Sequence, residues 1–487
     1  MKNITLADWK SFHPDIVETE SSDYYYVKVA NKLYDSWKFS LMYRELPNYL
    51  RLLITLQVTA YFEDIISGFC LWQSFTKNHK KRYGSYLPFY TIREGEYYTD
   101  EINLQDINFL IWSVMQRDMI DERIINPENP GIQDLAIRFY EILDNEFEKA
   151  PINTAFLDCI RKEDYFTDFF KFKELADWFY MDSYLLTNDS ASIYEQQTDF
   201  DNEDYNCSRS QLLYAIRSNL IFNFKTGPLA LPMKEWLSNW LEEIGMTEEA
   251  AVVKEIESVS NSLFQLISTD DTYLHIKDTK ENTYKVLRSS LGEEHPKNRS
   301  ELIASLVKFD NEWHVNGAAI WLSKGKYAEE KENEASLKED FNIANEKLLK
   351  ATNNYPLAYF KDEAELNQWL SKAFEINQAS NNTSELKGKE GIVTFIESGK
   401  SLAVMPELAF LIKDERNPYY DQKKAKDQAI SALIGNYPCS AKMVKFLLEN
   451  NMLPDAMINS LQGEKRGLEL VQNNKEFMAR FFMLERW

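Results

Sequence analysis

The chain has 487 residues, more than the roughly 250–300 that one hydrophobic core serves, so two or three domains are expected. Hydrophobic residues at 44% and aromatics at 14% fill large cores and exclude a disordered acidic segment. Lys plus Arg number 55 against 77 Asp plus Glu, a net charge of −22, which disfavours general nucleic-acid binding and adsorption to anionic membranes, because both begin with attraction to phosphate.

The amino terminus, Met1 to Asp8, lacks the apolar stretch of a secretory signal, and no run approaches the ~18 apolar residues of a membrane span. A cytoplasmic protein is expected. Cys70, Cys159, Cys207 and Cys439 lie too far apart for the paired spacing of zinc or redox motifs, which predicts reduced, mostly buried thiols.

From Tyr24 to about Leu266 the pattern is helical. Tyr26, Val29, Leu33 and Trp37 recur every three to four residues as one buried stripe. After Pro47, the run from Leu50 to Ile66 is apolar on more than one face and predicts a central helix surrounded by others. It continues to Lys77-Asn78-His79-Lys80-Lys81-Arg82, where basic residues suit a helix C-terminus, and Gly84 stops it. Helices are predicted over Leu104 to Met119, Gln133 to Phe147 and Phe172 to Leu186. Thr187 to Cys207, polar and acidic, reads as a mobile surface loop. Helices resume over Ser210 to Phe222 and from Met233 to about Leu266, broken near Gly245.

Thr272 to Ser323 is a β-patterned island. Tyr273 to Lys277 and Thr283 to Leu287 flank a polar turn, and Ile303, Ser305, Val307 and Phe309 alternate with Leu302, Ala304, Leu306 and Lys308. Asp310-Asn311 and Asn316-Gly317 both suit tight two-residue turns, with Glu312 to Val315 as a short strand between them. Beyond it, Ala328 to Ala351 is a charged connecting helix supported by Glu334→Lys338 and Glu346→Lys350. Leu357 to Phe360 is a strand, and Asp362 with Glu365 caps a helix burying Leu366 and Leu370. Ile392 to Ile396 and Leu402 to Met405 form a hairpin around Glu397 to Ser401. That turn lacks the first glycine of a phosphate loop and leads into a strand rather than a helix. Helices follow near Pro406, Asp421, Ser440 and Pro454.

The fold class is therefore α+β and predominantly helical: a helical domain over 1–268, a small antiparallel, barrel-like β module over 269–325, a charged helix over 326–352, and a small α+β domain over 353–487.

Three groups of residues are candidates for function. Glu63 and Asp64 sit in the most apolar helix, where a buried carboxylate can serve as a general acid or base, or can simply be paired internally. Strand parity puts Tyr273, His275 and Lys277 on one face of the island. With Trp313 and His314 they line either a shallow binding surface or a packing face. Lys77, Lys80, Lys81 and Arg82 form the densest basic patch, either an anion site or a solvated helix end. None of the five histidines is spaced as a metal pair, so no metal is assigned, and no glycine-rich loop calls for a cofactor.

Tyr61-Phe62-Glu63-Asp64 with Ser67-Gly68, Leu87-Pro88-Phe89-Tyr90, Gln105-Asp106 with Phe109-Leu110-Ile111-Trp112, and Leu453-Pro454-Asp455-Ala456 resemble an uncharacterised bacterial family of large, mainly helical proteins known as a domain of unknown function. The resemblance implies a bacterial cytoplasmic protein of helical architecture and brings no catalytic residues. The leading expectation is a non-enzymatic protein-interaction or regulatory protein with a protein partner or self-association; the alternative is a hydrolase or transferase using Glu63 or Asp64 in a cleft of the helical domain.

Overall fold

The structure, a computed structural model, describes residues 3–93, 95–118, 124–198, 207–291, 299–322, 324–376, 386–433 and 439–483. They fall into two units, one running essentially to Lys324 and the other from Gly325 onward, and the whole is mostly helical.

In the first unit α1 (Leu6–Lys10), α2 (Ser21–Ser36), α3 (Asn48–Ser67), α4 (Leu71–Tyr83), α5 (Leu104–Asp118) and α6 (Pro130–Phe147) form the first layer of helices. α3 is the centre, as its two-sided apolar pattern predicts. Leu50, Ile54, Leu56, Val58, Phe62 and Ile65 are all buried, and α2, α4 and α5 pack against it. The long helix expected through to Gly84 is instead two, bent by 92°. Gly68 ends α3 in the left-handed region at φ 67°, and Cys70 begins α4 in the same region at φ 64°. Apolar residues on both sides of Ser67-Gly68 hid this corner, because both arms of the bend are buried.

α7 (Thr154–Ile160), α8 (Phe169–Asp177), α9 (Thr187–Thr198), α10 (Arg209–Asn223), α11 (Met233–Glu243) and α12 (Thr247–Lys254) complete the helical part. α9 occupies sequence that reads as a mobile loop. Its anchors are polar, which is why periodicity misses them: Asp189 accepts from Arg117 Nη2 at 3.1 Å, and Ser190 donates to the Tyr180 carbonyl at 2.6 Å. Residues 199–206 of that expected loop lie outside the described residues.

The island is five strands: β1 (Glu257–Thr269), β2 (Tyr273–Asp278), β3 (Thr283–Leu287), β4 (Glu301–Phe309) and β5 (Glu312–Leu322). β1 was expected to be helix. Register shifts between Val259 and Ser262 and between Leu266 and Ser268 interrupt its alternation, so its apolar spacing imitates a helical one. The pairing order β1-β2-β3-β5-β4 returns to β1. Only one parallel pairing, Val286 with Trp313, joins β3 to β5, so the strands make a closed ring of bonds and not a full barrel. Phe264, Leu274, Ile276, Val286, Leu302, Leu306 and Val315 fill its interior.

Asp310 and Asn311 make the β4–β5 turn with φ of 46° and 62°, the paired positive values that a tight hairpin needs. Asn316-Gly317 is not a second hairpin. β5 continues through it with a bulge, Asn316 pairing Ser305 and Ile320 pairing Ile303, and Gly317 at φ 93° sits where α10 presses on the sheet. A Cβ there would lie 2.8 Å from Ser218 Cβ and 3.1 Å from the Ala215 Cα. The same contact is bonded, with Asn316 Nδ2 donating to the Ser218 carbonyl at 2.7 Å and Ser305 Oγ donating to Asn219 Oδ1 at 2.9 Å.

The second unit contains α13 (Lys326–Ala351), β6 (Leu357–Asp362), α14 (Glu363–Phe374), β7 (Glu390–Phe395), β8 (Ala403–Met405), α15 (Gln422–Leu433), α16 (Ala441–Glu449), α17 (Glu464–Gln472) and α18 (Lys475–Phe482). Its antiparallel sheet runs β8-β7-β6, with Asp362 capping α14 by accepting from the Glu365 amide at 3.0 Å. Glu397 to Lys400 is a plain turn, closed by the Lys400 amide on the Glu397 carbonyl at 3.1 Å. No helix starts at Pro454; the chain is irregular there and turns at Leu461-Gln462 before α17.

Gly317→Ala combines backbone strain with a clash against α10. It is expected to cost about 1–3 kcal/mol in urea unfolding. Gly245→Ala, also at positive φ but with open space around it, should cost less.

Candidate functional site

Glu63 and Asp64 are consecutive on α3, so their side chains leave the helix about 100° apart and reach different neighbours. Both are buried, at 2% and 1% exposure. Glu63 Oε2 is 2.7 Å from His13 Nε2, and Glu63 Oε1 accepts from Asn153 Nδ2 at 2.8 Å. Asn153 is itself fixed as the cap of α7, accepting from the Phe156 amide at 3.1 Å. The His13 ring lies between Trp9 and Phe156, with centroids 4.9 and 4.8 Å away, and its Nδ1 faces the Trp9 carbonyl at 3.3 Å. Both ring nitrogens thus face oxygen, and the ring ties the Trp9 carbonyl to Glu63.

Asp64 does a different task. It accepts from the Trp72 amide at 2.8 Å, the Leu71 amide at 3.2 Å and the Tyr184 hydroxyl at 2.7 Å, so it caps α4 across the 92° corner. Burial pushes its pKa up to about 6, against the pull of those donors. Asp106 on α5 is a third buried carboxyl. It accepts from Tyr61 and Tyr97, each at 2.8 Å, and from Asn103 Nδ2 at 3.1 Å, and burial pushes it up to about 7.

His13, Asp23 and Glu63 bring one nitrogen and two carboxylate oxygens within 4.8 Å of one another, the densest set of potential metal donors among the described residues. Protein donors already fill it. Asp23 accepts from Trp9 Nε1 at 3.1 Å and the Glu20 amide at 2.8 Å, with Lys10 Nζ at 3.8 Å, while Glu63 is held by His13 and Asn153. Oxygens saturated by N–H groups, beside a lysine, form an anchor for the N-terminal segment and fit a cation poorly.

The four residues singled out on the island separate. Tyr273 and His275 stand on the outer face of β2, with Lys277 in step, while Leu274 and Ile276 point inward. The β2–β3 register sets Lys285 opposite His275 and Leu287 opposite Tyr273 on that outer face. Lys285 Nζ lies 3.7 Å above the Tyr273 ring, His275 Nε2 is 3.2 Å from Asp270 Oδ2, and the Tyr273 hydroxyl donates to Glu312 at 3.1 Å. Asp270 is held below its usual pKa chiefly by the Tyr273 and Thr272 amides. Trp313 packs instead on the ring's interior, edge-on to Tyr284 at 5.1 Å. His314 belongs to the contact with the helices: it stacks on Phe169 at 4.4 Å, beside Phe309 on Phe172 at 5.0 Å, and burial lowers its pKa. Lys285 was missed from sequence, although the hairpin register that pairs it with His275 carried the signal.

The basic patch also divides. Lys77 pairs with Glu243, and Lys80 sits 4.1 Å over the Tyr86 ring. Lys81 and Arg82 line a cleft of about 650 Å³ with Asn78 of α4 and with Lys234, Ser238 and Glu242 from α11. Arg82 meets Glu235 at 3.0 Å and Lys254 meets Glu242, so pairing consumes much of the charge. Glu63 and Asp64 line neither this cleft nor the one in the second unit.

A family model described as "Protein of unknown function (DUF3843)" matches residues 3–295 and 317–484. No curated protein and no solved structure matches the chain.

Replacing His13 with Leu leaves the Glu63 carboxylate buried without its main partner and is expected to cost about 3–5 kcal/mol in denaturant unfolding. The His13→Leu/Glu63→Leu pair should recover much of that loss. Asp106 supplies a pH signature. Because its folded pKa lies above the unfolded one, its contribution is fully present below about pH 4 and lost as pH rises through about 7. The stability of the protein relative to its Asp106→Asn variant should therefore fall across that window; a flat difference would show that Asp106 ionises normally.

Proposed function

The chain belongs to the DUF3843 family, and on that premise we propose that it is a non-enzymatic interaction protein of the bacterial cytoplasm that engages a protein partner through the outer face of the β2–β3 hairpin. The observation that carries this reading is the two-sidedness of the β module. One side is clamped to α8 and α10 by Phe309, His314, Ser305 and Asn316. The other presents Tyr273, His275, Lys277 and Lys285, from half-buried to exposed. A rigidly mounted aromatic face rimmed by charges loses little entropy on docking, which favours recognition. Its basic groups are interleaved with Asp270, Glu281 and Glu312, as in Lys277 with Glu281 at 3.1 Å. That mixture suits a protein surface better than a phosphate backbone.

Acid–base catalysis at Glu63 or Asp64 is less well supported. A catalytic carboxylate must come within hydrogen-bond reach of a substrate, whereas these two are enclosed and their oxygens engaged.

Cross-linking in bacterial cytosol, followed by native mass spectrometry, tests the proposal. The partner captured by the wild-type protein, or a second copy of the chain, should be lost or weakened at least about tenfold in a Tyr273→Ala/Lys285→Ala variant, the scale of an aromatic hot spot. His314→Ala, which loosens the clamp but spares the face, should bind with smaller loss. An unchanged partner in the first variant would take the interface away from this hairpin.

A further inference from the structure

The second unit contains a cleft of about 620 Å³ bounded by the Leu453-Pro454-Asp455 segment, α17 and the start of α18. That volume lies within the roughly 300–1,000 Å³ of small-molecule sites. Lys413 and Lys475 both line it. Among the described residues neither ammonium has an ion pair or hydrogen bond, although the chain holds 77 acidic residues against 55 basic ones and other lysines pair readily, as Lys32 does with Glu146 at 2.9 Å and Lys389 with Glu407 at 2.8 Å. Asp455 attracts Lys475 from a distance but forms no ion pair with it; its Oδ1 accepts from Gln472 Nε2 at 2.6 Å. Burial, reinforced by the charge of Lys413, lowers the Lys475 pKa against the pull of Asp455. Half-buried Lys475 and exposed Lys413 repel each other at this cleft, and an anion between them converts that repulsion into attraction.

We propose that this cleft binds the phosphate group of a small metabolite, with Lys413 and Lys475 as its grip and the buried Leu453 and Pro454 as the wall for the rest of the molecule. The choice of phosphate over carboxylate follows from the cations present. Lys465 is the third cation lining the cleft and arginine is absent from its lining. Lysine binds phosphate as a mobile point charge, whereas carboxylate recognition favours the flat fork of arginine. Glu464 and Asp455 at the same cleft limit the net positive charge, which favours a small phosphate ester over a long polyanion.

Calorimetric titration of the full chain with inorganic pyrophosphate at low salt tests this. Saturable binding that weakens by about tenfold or more in Lys475→Gln and in Lys413→Gln, while Lys389→Gln keeps wild-type affinity, is the expected result. A readout on the unaltered protein guards against misfolded variants: pyrophosphate should slow acetylation of Lys475, followed by mass spectrometry, but not of Lys389. No saturable binding at millimolar pyrophosphate overturns the proposal, as does binding that leaves Lys475 acetylation unchanged or survives both cleft substitutions.

Discussion

The helical part of this protein depends on one carboxylate. Asp64 bonds the first two amides of α4 and the Tyr184 hydroxyl, and in doing so holds two buried helices at a right angle. Without it, two amides at the α4 N-terminus would be buried and unpaired, each at a cost of about 1–3 kcal/mol. The corner directs α4 onto α11 and leaves α3 free to be covered by α2 and α5. One residue earlier, Glu63 ties the N-terminal segment to the same helix end through His13. Adjacent carboxylates therefore organise opposite sides of the core, which explains acids in so apolar a helix without invoking chemistry.

The β module depends on that helical frame in turn. Its interior is small, and the ring of strands closes through a single bridge, so a large share of its stability must come from the face laid against α8 and α10. Phe309, His314 and Asn316 supply apolar area, ring stacking and a buried hydrogen bond there, and Gly317 allows the backbones to approach. Fastening the β4–β5 side leaves the outer face of the β2–β3 hairpin, elsewhere on the ring, open to solvent. That asymmetry, more than any single side chain, is the ground for proposing the β2–β3 surface as a recognition face.

Charge is used differently in the two units. In the first, basic residues at the α4 terminus are matched by Glu243 and Glu235 or covered by an aromatic ring. In the second, Lys413 and Lys475 face a cleft without such partners. The difference separates a helix end whose cations are largely matched from a cleft whose lysines are the basis for the proposed anion site.

Much of this protein could be read from its residues alone. The stripe Tyr26, Val29, Leu33 and Trp37, the core of α3, the Asp310-Asn311 hairpin, the Asp362 cap and the outer face shared by Tyr273 and His275 all follow from local rules of period, turn geometry and capping. Membership of the family was legible as well, from short motifs near both ends. What tertiary structure decided were the features whose cause lies far along the chain. The corner after Gly68 needs Tyr184; α9 is a helix because Arg117 and Tyr180 receive its polar side chains; β1 is a strand because β2 and β4 lie beside it, despite two register shifts that disguise its alternation. Gly317 looked like a turn because only the nearness of α10 shows why a Cβ is forbidden there. Local patterns record the conformations a segment favours, whereas burial, pairing and the fate of each carboxylate depend on neighbours that only the folded chain brings together.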